Sequence, residues 1–194
     1  MPPKAKITRA DILQTALDLI RRDGVAALNA RSIAAALDCS TQPVFSNFSN
    51  MEELQKAVLE AGYDYYLRFL QGEAKRSDYP LYKAYGRGYI RFAREEGELF
   101  RLLFMRDRRG EELIPAEDFE TSVNYIVEAC GLSRRRAERM HLEIWACVHG
   151  IATMVATSFF VPDEDMIDTM LTDVYQALRS RHIQEEDTHG CHSN

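Results

Sequence analysis

Apolar residues recur every three or four positions along almost the whole chain of 194 residues, and this spacing is typical of amphipathic α-helices. Ten glycines and six prolines are too few to supply the many turns of an all-β sandwich. Hydrophobic residues make up 46% of the chain, which excludes disorder over most of its length. The sequence therefore predicts an all-α protein of about nine helices.

Capping residues, glycines and prolines mark where the predicted helices begin and end. Thr8, Asn29 and Ser40 are predicted N-caps, Pro43 lies in a first turn where a missing amide is tolerated, and Gly24 is expected to end the first helix. In chain order the predicted helices cover about 8–23, 30–37, 41–48, 51–76, 81–95, 97–106, 115–130, 133–158 and 163–182.

Charge is unevenly distributed along the chain. The first 50 residues carry six basic and four acidic side chains, a net charge of +2, and the remaining 144 carry 18 and 26, a net charge of -8. A basic N-terminal part beside an acidic body indicates a polyanionic partner for the N-terminal part alone.

The first three predicted helices have the outline of a helix-turn-helix at about residues 29–48, in which Asp38-Cys39-Ser40 form the turn. The second helix of such a pair lies in the major groove, with its N-terminal residues at the base edges. Those residues are Thr41, Gln42 and Pro43. Glutamine can bond adenine through two groups, and Pro or a Thr methyl can contact a thymine methyl. An ordinary three-helix corner with polar caps is the alternative.

The amino-acid sequence of about residues 8–60 resembles that of a known protein family. The resemblance is carried by Ile12–Ile20, Gly24, Asn29–Ala34 and Ser40–Leu54, and the family is that of the tetracycline repressor (TetR). It implies a homodimeric one-component repressor without a cofactor. The N-terminal helices would bind operator DNA, and the helical body would bind a small molecule that releases the DNA.

The resemblance also implies roles for single residues near the recognition helix. Asn29 matches a Ser/Thr that commonly holds a phosphate. Phe45 and Asn47 stand where the family usually has tyrosine and histidine, and Met51 where a phosphate-contacting lysine is common. These departures leave fewer contacts to the DNA sugar-phosphate backbone than the family usually makes, which predicts a shallower salt dependence of DNA binding. The residues expected to contact DNA are Asn29, Ser40, Thr41, Gln42, Pro43, Phe45, Ser46 and Asn47.

Aromatic residues are frequent between residues 60 and 160, where most are expected in the core and a minority in a ligand pocket. Trp145-Ala146-Cys147-Val148-His149-Gly150 also resembles a Trp-x-x-x-His-Gly stretch of one TetR subgroup. The best pocket candidates combine an apolar body with a polar tip, or lie in this stretch: Tyr66, Tyr89, Phe104, Tyr125, Trp145 and His149.

The helices predicted at 133–158 and 163–182 are apolar on more than one face, so each must be covered on several sides. The small residues Gly150, Ala152 and Ala156 would allow a partner helix to approach closely. A four-helix dimer interface satisfies this pattern, and an ordinary buried helix is the alternative. The predicted organisation is a DNA-binding domain at 6–66, a ligand-binding and dimerisation domain at 67–184, and a flexible tail at 185–194.

The sequence leaves two other function classes open. Glu138 and His141 form an E-x-x-H pair, the spacing of di-metal helical enzymes, although the second such pair, Glu186 and His189, lies in the predicted tail. A helical interaction module without specific DNA binding is the other alternative. Scattered cysteines and a polar start favour a cytoplasmic protein, and the apolar stretch 144–161 is interpreted as a buried helix rather than a membrane span.

Overall fold

The computed structural model describes residues 7–109 and 116–190, and over these ranges the chain forms nine α-helices, one 3₁₀ turn (Val25–Ala27) and no strand. The all-α prediction is thereby confirmed. The helices are α1 (Arg9–Asp23), α2 (Ala30–Ala36), α3 (Gln42–Asn47), α4 (Met51–Arg76), α5 (Leu81–Glu95), α6 (Gly97–Phe104), α7 (Ala116–Cys130), α8 (Arg134–Ala156) and α9 (Glu164–Gly190).

The helices divide into two compact units. The N-terminal unit comprises the chain up to Phe69 together with Glu95–Arg106, and the C-terminal unit comprises Leu70–Arg94 together with the chain from Asp107 onward. The domain boundary predicted after residue 66 lies close to the first of these divisions. The sequence did not predict that α6, although it follows α5 of the C-terminal unit, belongs to the N-terminal unit, where it packs against α1.

Local side-chain chemistry fixes both ends of α1. The Thr8 hydroxyl accepts a hydrogen bond from the Asp11 amide at 3.1 Å, and the Asp11 carboxylate accepts one from the Thr8 amide at 2.8 Å. These reciprocal bonds satisfy donors that a helix start leaves open. At the other end, Gly24 has a φ of 79° and its amide donates to the Ile20 carbonyl at 2.8 Å. The predicted cap and stop of α1 are both confirmed.

The core of the N-terminal unit is built from the apolar faces of α1, α2, α4 and α6 together with α3. An ionic cluster lies at its edge: Arg21 on α1 forms two hydrogen bonds with the Glu96 carboxylate, at 2.8 and 2.5 Å, and the Tyr65 hydroxyl donates to the same carboxylate at 2.8 Å. This cluster ties α1 and α4 to the start of α6. The fully buried side chains here include Ile12, Ile20, Ile33, Val44, Phe48, Leu54, Leu99 and Phe100.

In the C-terminal unit, α8 packs against both α7 and α9, because it is apolar on more than one side. Ala137, Met140 and Ala152 of α8 are completely buried. Salt bridges add to the contact between α5 and α9: Arg87 pairs with Asp168 and Glu164, and Arg94 pairs with Glu164.

Helix α9 ends later than the sequence predicts. The predicted end was residue 182, with a flexible tail from 185, whereas the structure continues the helix to Gly190; residues 191–194 lie outside the described part. Contacts with the start of α8 explain the difference, because Glu185 pairs with Arg136 at 2.8 Å and Glu186 accepts a hydrogen bond from the Ser133 amide at 3.1 Å. These contacts join residues about 50 positions apart, so the sequence of the tail alone does not reveal them.

Among the helices of residues 7–109 and 116–190, none combines the length and the apolar content needed to cross a bilayer. The stretch 144–161, interpreted from the sequence as a buried helix, forms the C-terminal half of α8 and the turn that follows it.

Gly24 provides a test of how α1 is stopped. With a φ of 79° and a ψ of 175°, it occupies a backbone region essentially restricted to glycine, and a Cβ would lie 3.1 Å from Oε2 of Glu98. We expect Gly24→Ala to lower the free energy of unfolding by about 1–3 kcal/mol, measured by urea denaturation. Gly72→Ala, inside α4 and near only the Arg76 guanidinium, should leave stability unchanged or raise it by up to about 1 kcal/mol. Equal stability of the two variants would contradict this account.

Candidate DNA-binding and ligand-binding sites

Helices α2 and α3 form a helix-turn-helix in the N-terminal unit. In the turn between them, Asp38 adopts a φ of 48° in the left-handed region, which Asp enters more readily than most residues. The amides of Asp38 and Cys39 donate to the carbonyls of Ala35 and Ala34 at 3.2 and 3.0 Å. The turn predicted at Asp38-Cys39-Ser40 is therefore present, with the amides of Asp38 and Cys39 hydrogen-bonded.

Helix α3 begins one residue later than predicted. Its N-cap is Thr41, which makes no side-chain cap bond, and the predicted cap Ser40 lies exposed before it. The Thr41 carbonyl accepts the first helical hydrogen bond, from the Phe45 amide at 3.2 Å, and this makes Thr41 the N-cap. The prediction that Pro43 lies in the first turn is confirmed.

Burial orients α3 in the N-terminal unit. Val44 and Phe48 are almost completely buried, and Gln42, Phe45 and Ser46 are exposed, with 49% of the Phe45 surface accessible. Of the other residues expected to contact DNA, three on or next to α3 are half-buried: Thr41, Pro43 and Asn47. Asn29 and Ser40, which precede α2 and α3, are exposed. Of the residues proposed for base contact, Gln42 is thus exposed on the side away from Val44, and Thr41 and Pro43 flank it half-buried.

Hydrogen bonding separates these candidates further. Ser46 and Asn47 donate to the carbonyls of Gln42 and Pro43 at 2.9 and 2.8 Å, so both side chains are engaged within α3. Asn29 caps α2 by accepting from the Ser32 amide at 2.9 Å. The Gln42 side chain has no hydrogen-bond partner among the described residues and is free to bond an external group.

Arg9 is a positioning residue that the sequence did not reveal. Its guanidinium lies 4.1 Å from the centre of the Phe48 ring, donates to the Asn47 carbonyl at 2.9 Å and pairs with Glu53 at 3.1 Å. Hydrogen bonds from Ser49, and then the bond from Arg9, lower the pKa of Glu53 to about 2. Arg9 thereby connects α1 to the end of α3 and the start of α4. Its partners lie about 40 positions away in the sequence, so no local pattern predicts this role.

The C-terminal unit contains a cavity of about 360 Å³, toward the small end of the range for small-molecule sites. Helices α5, α7, α8 and α9 contribute to its wall, and the lining is mostly apolar. The lining residues are Pro80, Tyr82, Lys83, Gly86, Tyr125, Ile144, Val148, Leu171, Thr172, Tyr175, Gln176 and Arg179.

Three tyrosines form the aromatic part of this wall. The rings of Tyr82 and Tyr125 are stacked at 5.4 Å with an angle of 2° between their planes, and Tyr175 is tilted against Tyr82 at 6.2 Å. The Tyr82 hydroxyl is 2.9 Å from Nδ1 of His141, and the Tyr175 hydroxyl is 3.5 Å from Sγ of Cys130. Burial lowers the pKa of His141 to about 4, so its imidazole is neutral at pH 7 and its Nδ1 accepts a hydrogen bond from the Tyr82 hydroxyl.

Carboxylates on α9 neutralise the cations of α5 beside the cavity. Lys83 lies 3.3 Å from Asp168 and donates to the Thr172 hydroxyl at 3.1 Å, and Arg87 pairs with the same Asp168. The hydrogen bonds from Tyr79 and Arg87 lower the pKa of Asp168 against the opposing effect of burial. This carboxylate is therefore ionised at neutral pH.

The structure does not bring the six ligand-binding candidates together. Tyr125 lines the cavity, whereas Tyr66 and Phe104 pack edge to face at 5.1 Å in the N-terminal unit. Trp145 and His149 stack on each other at 5.1 Å, and the Tyr89 hydroxyl lies 2.9 Å from Nδ1 of His149. In that cluster, burial and then the charge of Arg108 lower the pKa of His149.

Sequence reasoning missed most of the cavity wall, including Tyr82, Lys83, Tyr175 and Arg179. One signal was available: Leu171, Tyr175 and Arg179 recur every four residues on α9, so an aromatic and a cation follow one apolar face. Whether that face borders a cavity depends on how α5 and α7 pack against α9, and the spacing of residues within α9 does not predict this packing.

The E-x-x-H pair of the enzyme alternative is engaged in other contacts. Glu138 pairs with Arg134 at 3.1 Å, and His141 is bonded to Tyr82. Within the residues that the structure describes, no three His, Cys, Asp or Glu side chains converge to hold a metal ion.

Comparison with known proteins identifies one family model and several related folds. The model described as "Tetracyclin repressor-like, C-terminal domain" matches residues 82–178. No curated protein sequence matches the chain.

Solved structures with the same fold cover most of the chain. A protein of unknown function from Rhodococcus sp. RHA1 is 22% identical, with 94% of this chain and 100% of that one covered and a TM-score of 0.71. A member of the TetR family from Streptomyces coelicolor A3 is 21% identical over 86% and 96%, with a TM-score of 0.62. A TetR variant from Acinetobacter baumannii AYE in complex with minocycline is 16% identical over 93% and 99%, with a TM-score of 0.59.

The neutral state of His141 predicts how stability changes with pH. The unfolded chain binds a proton at this histidine near pH 6.5, and the folded chain does so only near pH 4, so the free energy of unfolding falls as the pH drops through this window. Between pH 7.5 and 5 the loss from His141 is about 2 kcal/mol. We expect His141→Gln to lose less stability than the wild type over this interval.

Urea denaturation at several pH values measures the difference, and the pH 7.5 values serve as the control because the histidine is then neutral in both states. Parallel profiles for wild type and variant would show that His141 is charged, or exposed, in the folded protein.

Proposed function

Because the chain belongs to the tetracycline-repressor family of DNA-binding transcriptional regulators, we propose that it is a homodimeric repressor acting in the cytoplasm. It binds a palindromic operator and is released from it by a small-molecule effector. The observation that carries the proposal is the orientation of α3, whose buried Val44 and Phe48 leave Gln42 exposed with an unused side-chain amide.

Base readout rests on the start of α3. An exposed glutamine at this position can donate to and accept from one adenine in the major groove, and the Thr41 methyl and the Pro43 ring can contact a thymine methyl. Phe45, next to these residues, offers an exposed ring to the sugar-phosphate backbone but no hydroxyl. Asn29 and Ser40, exposed at the start of α2 and before α3, are the candidates for phosphate contact.

Dimerisation is supported by an apolar surface on α8 and α9 that is not covered within the protomer. On α8, Leu142 and Ala146 are exposed, and a Cβ at Gly150 would meet no atom within 4 Å. Met166 on α9 is 45% exposed. These positions recur every four residues on α8 and form a face on which a second copy can pack.

The predicted small-residue interface needs one revision. Ala152 and Ala156 are buried within the protomer, so they are unavailable to a partner helix, and of the three small residues only Gly150 is open. The proposed contact with the second copy is therefore centred on Leu142, Ala146 and Gly150.

Effector binding is assigned to the cavity of the C-terminal unit, because it combines an apolar wall with a few polar groups. A multidrug binding protein complexed with imidazole is among the structures of similar fold, at 21% identity over 86% of this chain and 88% of that one, with a TM-score of 0.58. That likeness supports the fold, and the cavity's own residues support the assignment.

The first experiment is selection of bound sequences from a random duplex library with the purified protein, combined with sedimentation equilibrium. We expect a palindrome with two half-sites and a mass twice the 22.3 kDa of the chain. Binding that selects no sequence and weakens uniformly as salt rises would reduce the interaction to non-specific electrostatics. It would leave the chain as a helical interaction module.

Gln42→Ala tests the residue assigned to base readout. Loss of one bidentate base contact should weaken binding to the selected operator by about 1–3 kcal/mol and leave binding to unrelated duplexes unchanged. Fluorescence anisotropy with both duplexes measures the two affinities. Gln55→Ala, an exposed glutamine on α4, is the matched control and should bind as the wild type does. The same loss in both variants, or in neither, would remove Gln42 from the recognition surface.

A further inference from the structure

The polar groups that line the cavity differ in whether they already have partners. The Tyr82 hydroxyl is bonded to His141, the Tyr175 hydroxyl contacts Cys130, and Lys83 and Thr172 bond each other beside Asp168. Among the described residues, three lining side chains keep polar groups with no partner: Tyr125, Gln176 and Arg179. These three are the groups that a ligand can engage without breaking an existing bond.

All three of these side chains are hydrogen-bond donors, and one is a permanent cation. Gln176 and Arg179 lie three residues apart on α9, so their side chains project from the same side of the helix. Within the described part of the chain, no carboxylate lines the cavity and none pairs with Arg179. The charge of Lys83 is balanced by Asp168, so the excess positive charge of the wall is that of Arg179.

The rest of the wall favours a flat apolar body. Tyr82, Tyr125 and Tyr175 present ring faces and edges, and Ile144, Val148 and Leu171 supply aliphatic surface. Gly86 widens the space, because a Cβ there would lie 3.7 Å from Val148 and 3.9 Å from Leu171. A volume of about 360 Å³ admits a compact molecule rather than a large polycyclic one.

We propose that the effector of this cavity is a compact aromatic carboxylate, whose ring lies among Tyr82, Tyr125 and Tyr175 and whose carboxylate is bound by Arg179 and Gln176. This inference rests on the proposed function, since it names the chemical class of the effector. The planar guanidinium of arginine matches a carboxylate through two parallel hydrogen bonds. Aromatic pairs add attraction beyond the area that they bury.

Isothermal titration calorimetry on the full chain tests the class with matched probes. The anionic probes are benzoate, phenylacetate, 3-phenylpropanoate, cinnamate and 2-naphthoate, each compared with its primary amide and with the corresponding amine. We expect at least one carboxylate to bind with a Kd below about 1 mM and at least about tenfold more tightly than its amide or amine. A saturated analogue, 3-cyclohexylpropanoate, should bind more weakly than 3-phenylpropanoate.

Two arginine variants locate the charge. Arg179→Gln should weaken binding of the best carboxylate by about three- to tenfold and leave its amide unchanged, because only the ion pair is lost. Arg135→Gln removes an exposed arginine of α8 that does not line the cavity, and it should bind as the wild type does. Both substitutions are at exposed positions, so the fold is expected to persist, and circular dichroism verifies this.

Three outcomes would overturn the proposal. The first is the absence of binding by every carboxylate below about 1 mM, and the second is equal or tighter binding of the amides or amines. The third is a carboxylate preference as large in Arg179→Gln as in the wild type.

The operator selection is a separate readout, so the two proposals fail in different ways. If the protein binds the carboxylate through Arg179 but selects no operator, the proposed ligand class stands and the proposed repressor function is wrong. If the protein selects an operator but binds the amines more tightly, the proposed repressor function stands and the proposed ligand class is wrong.

Discussion

The C-terminal unit depends on the burial of α8 on more than one side. Met140 and Ala152 are inaccessible, and Ile144 and Val148 keep only 7% of their surface exposed. Covering such a helix requires neighbours on each apolar side, and α7 and α9 provide two of them. Ile144 and Val148 also border the cavity, so the same helix supplies both the core and a wall of the site.

Electrostatic balance then decides what the cavity can hold. Asp168 accepts from Tyr79 and pairs with Lys83 and Arg87, so one carboxylate on α9 compensates charges that α5 places beside the cavity. Removing one partner from such a partly buried group would leave its neighbours uncompensated, which costs more than the net stabilisation of the intact pairs. The consequence for binding is selectivity, because a wall with compensated lysine and uncompensated arginine disfavours cations and favours one anionic group.

The parts of the fold that sequence predicts well are those set by neighbouring residues. The Thr8 cap, the glycine stop at Gly24 and the turn at Asp38-Cys39-Ser40 each follow from chemistry within four positions of the chain. The predicted start of α3 was wrong by one residue, because the cap propensity of Ser40 does not reveal that the helical hydrogen bonds begin at the Thr41 carbonyl.

The cavity was not predictable in the same way. Tyr82, Tyr125 and Tyr175 come from three helices and are separated by 43 and 50 positions, so no local pattern relates them. Choosing aromatic residues with polar tips found Tyr125, but it also selected Tyr89 and His149, which bond each other and do not line the cavity. Helical periodicity identifies an inward face, and only the packing of several helices determines where a gap remains.

The chain path links the two activities that are proposed for the protein. Helix α5 carries Lys83 and Gly86 of the cavity wall, and the next residue after its end is Glu96, which holds Arg21 of α1 through two hydrogen bonds. A ligand releases DNA only if it binds the DNA-free conformation more tightly than the DNA-bound one. The chain therefore passes directly from a helix of the cavity wall to the residue that holds α1, the helix against which α2 and α3 pack.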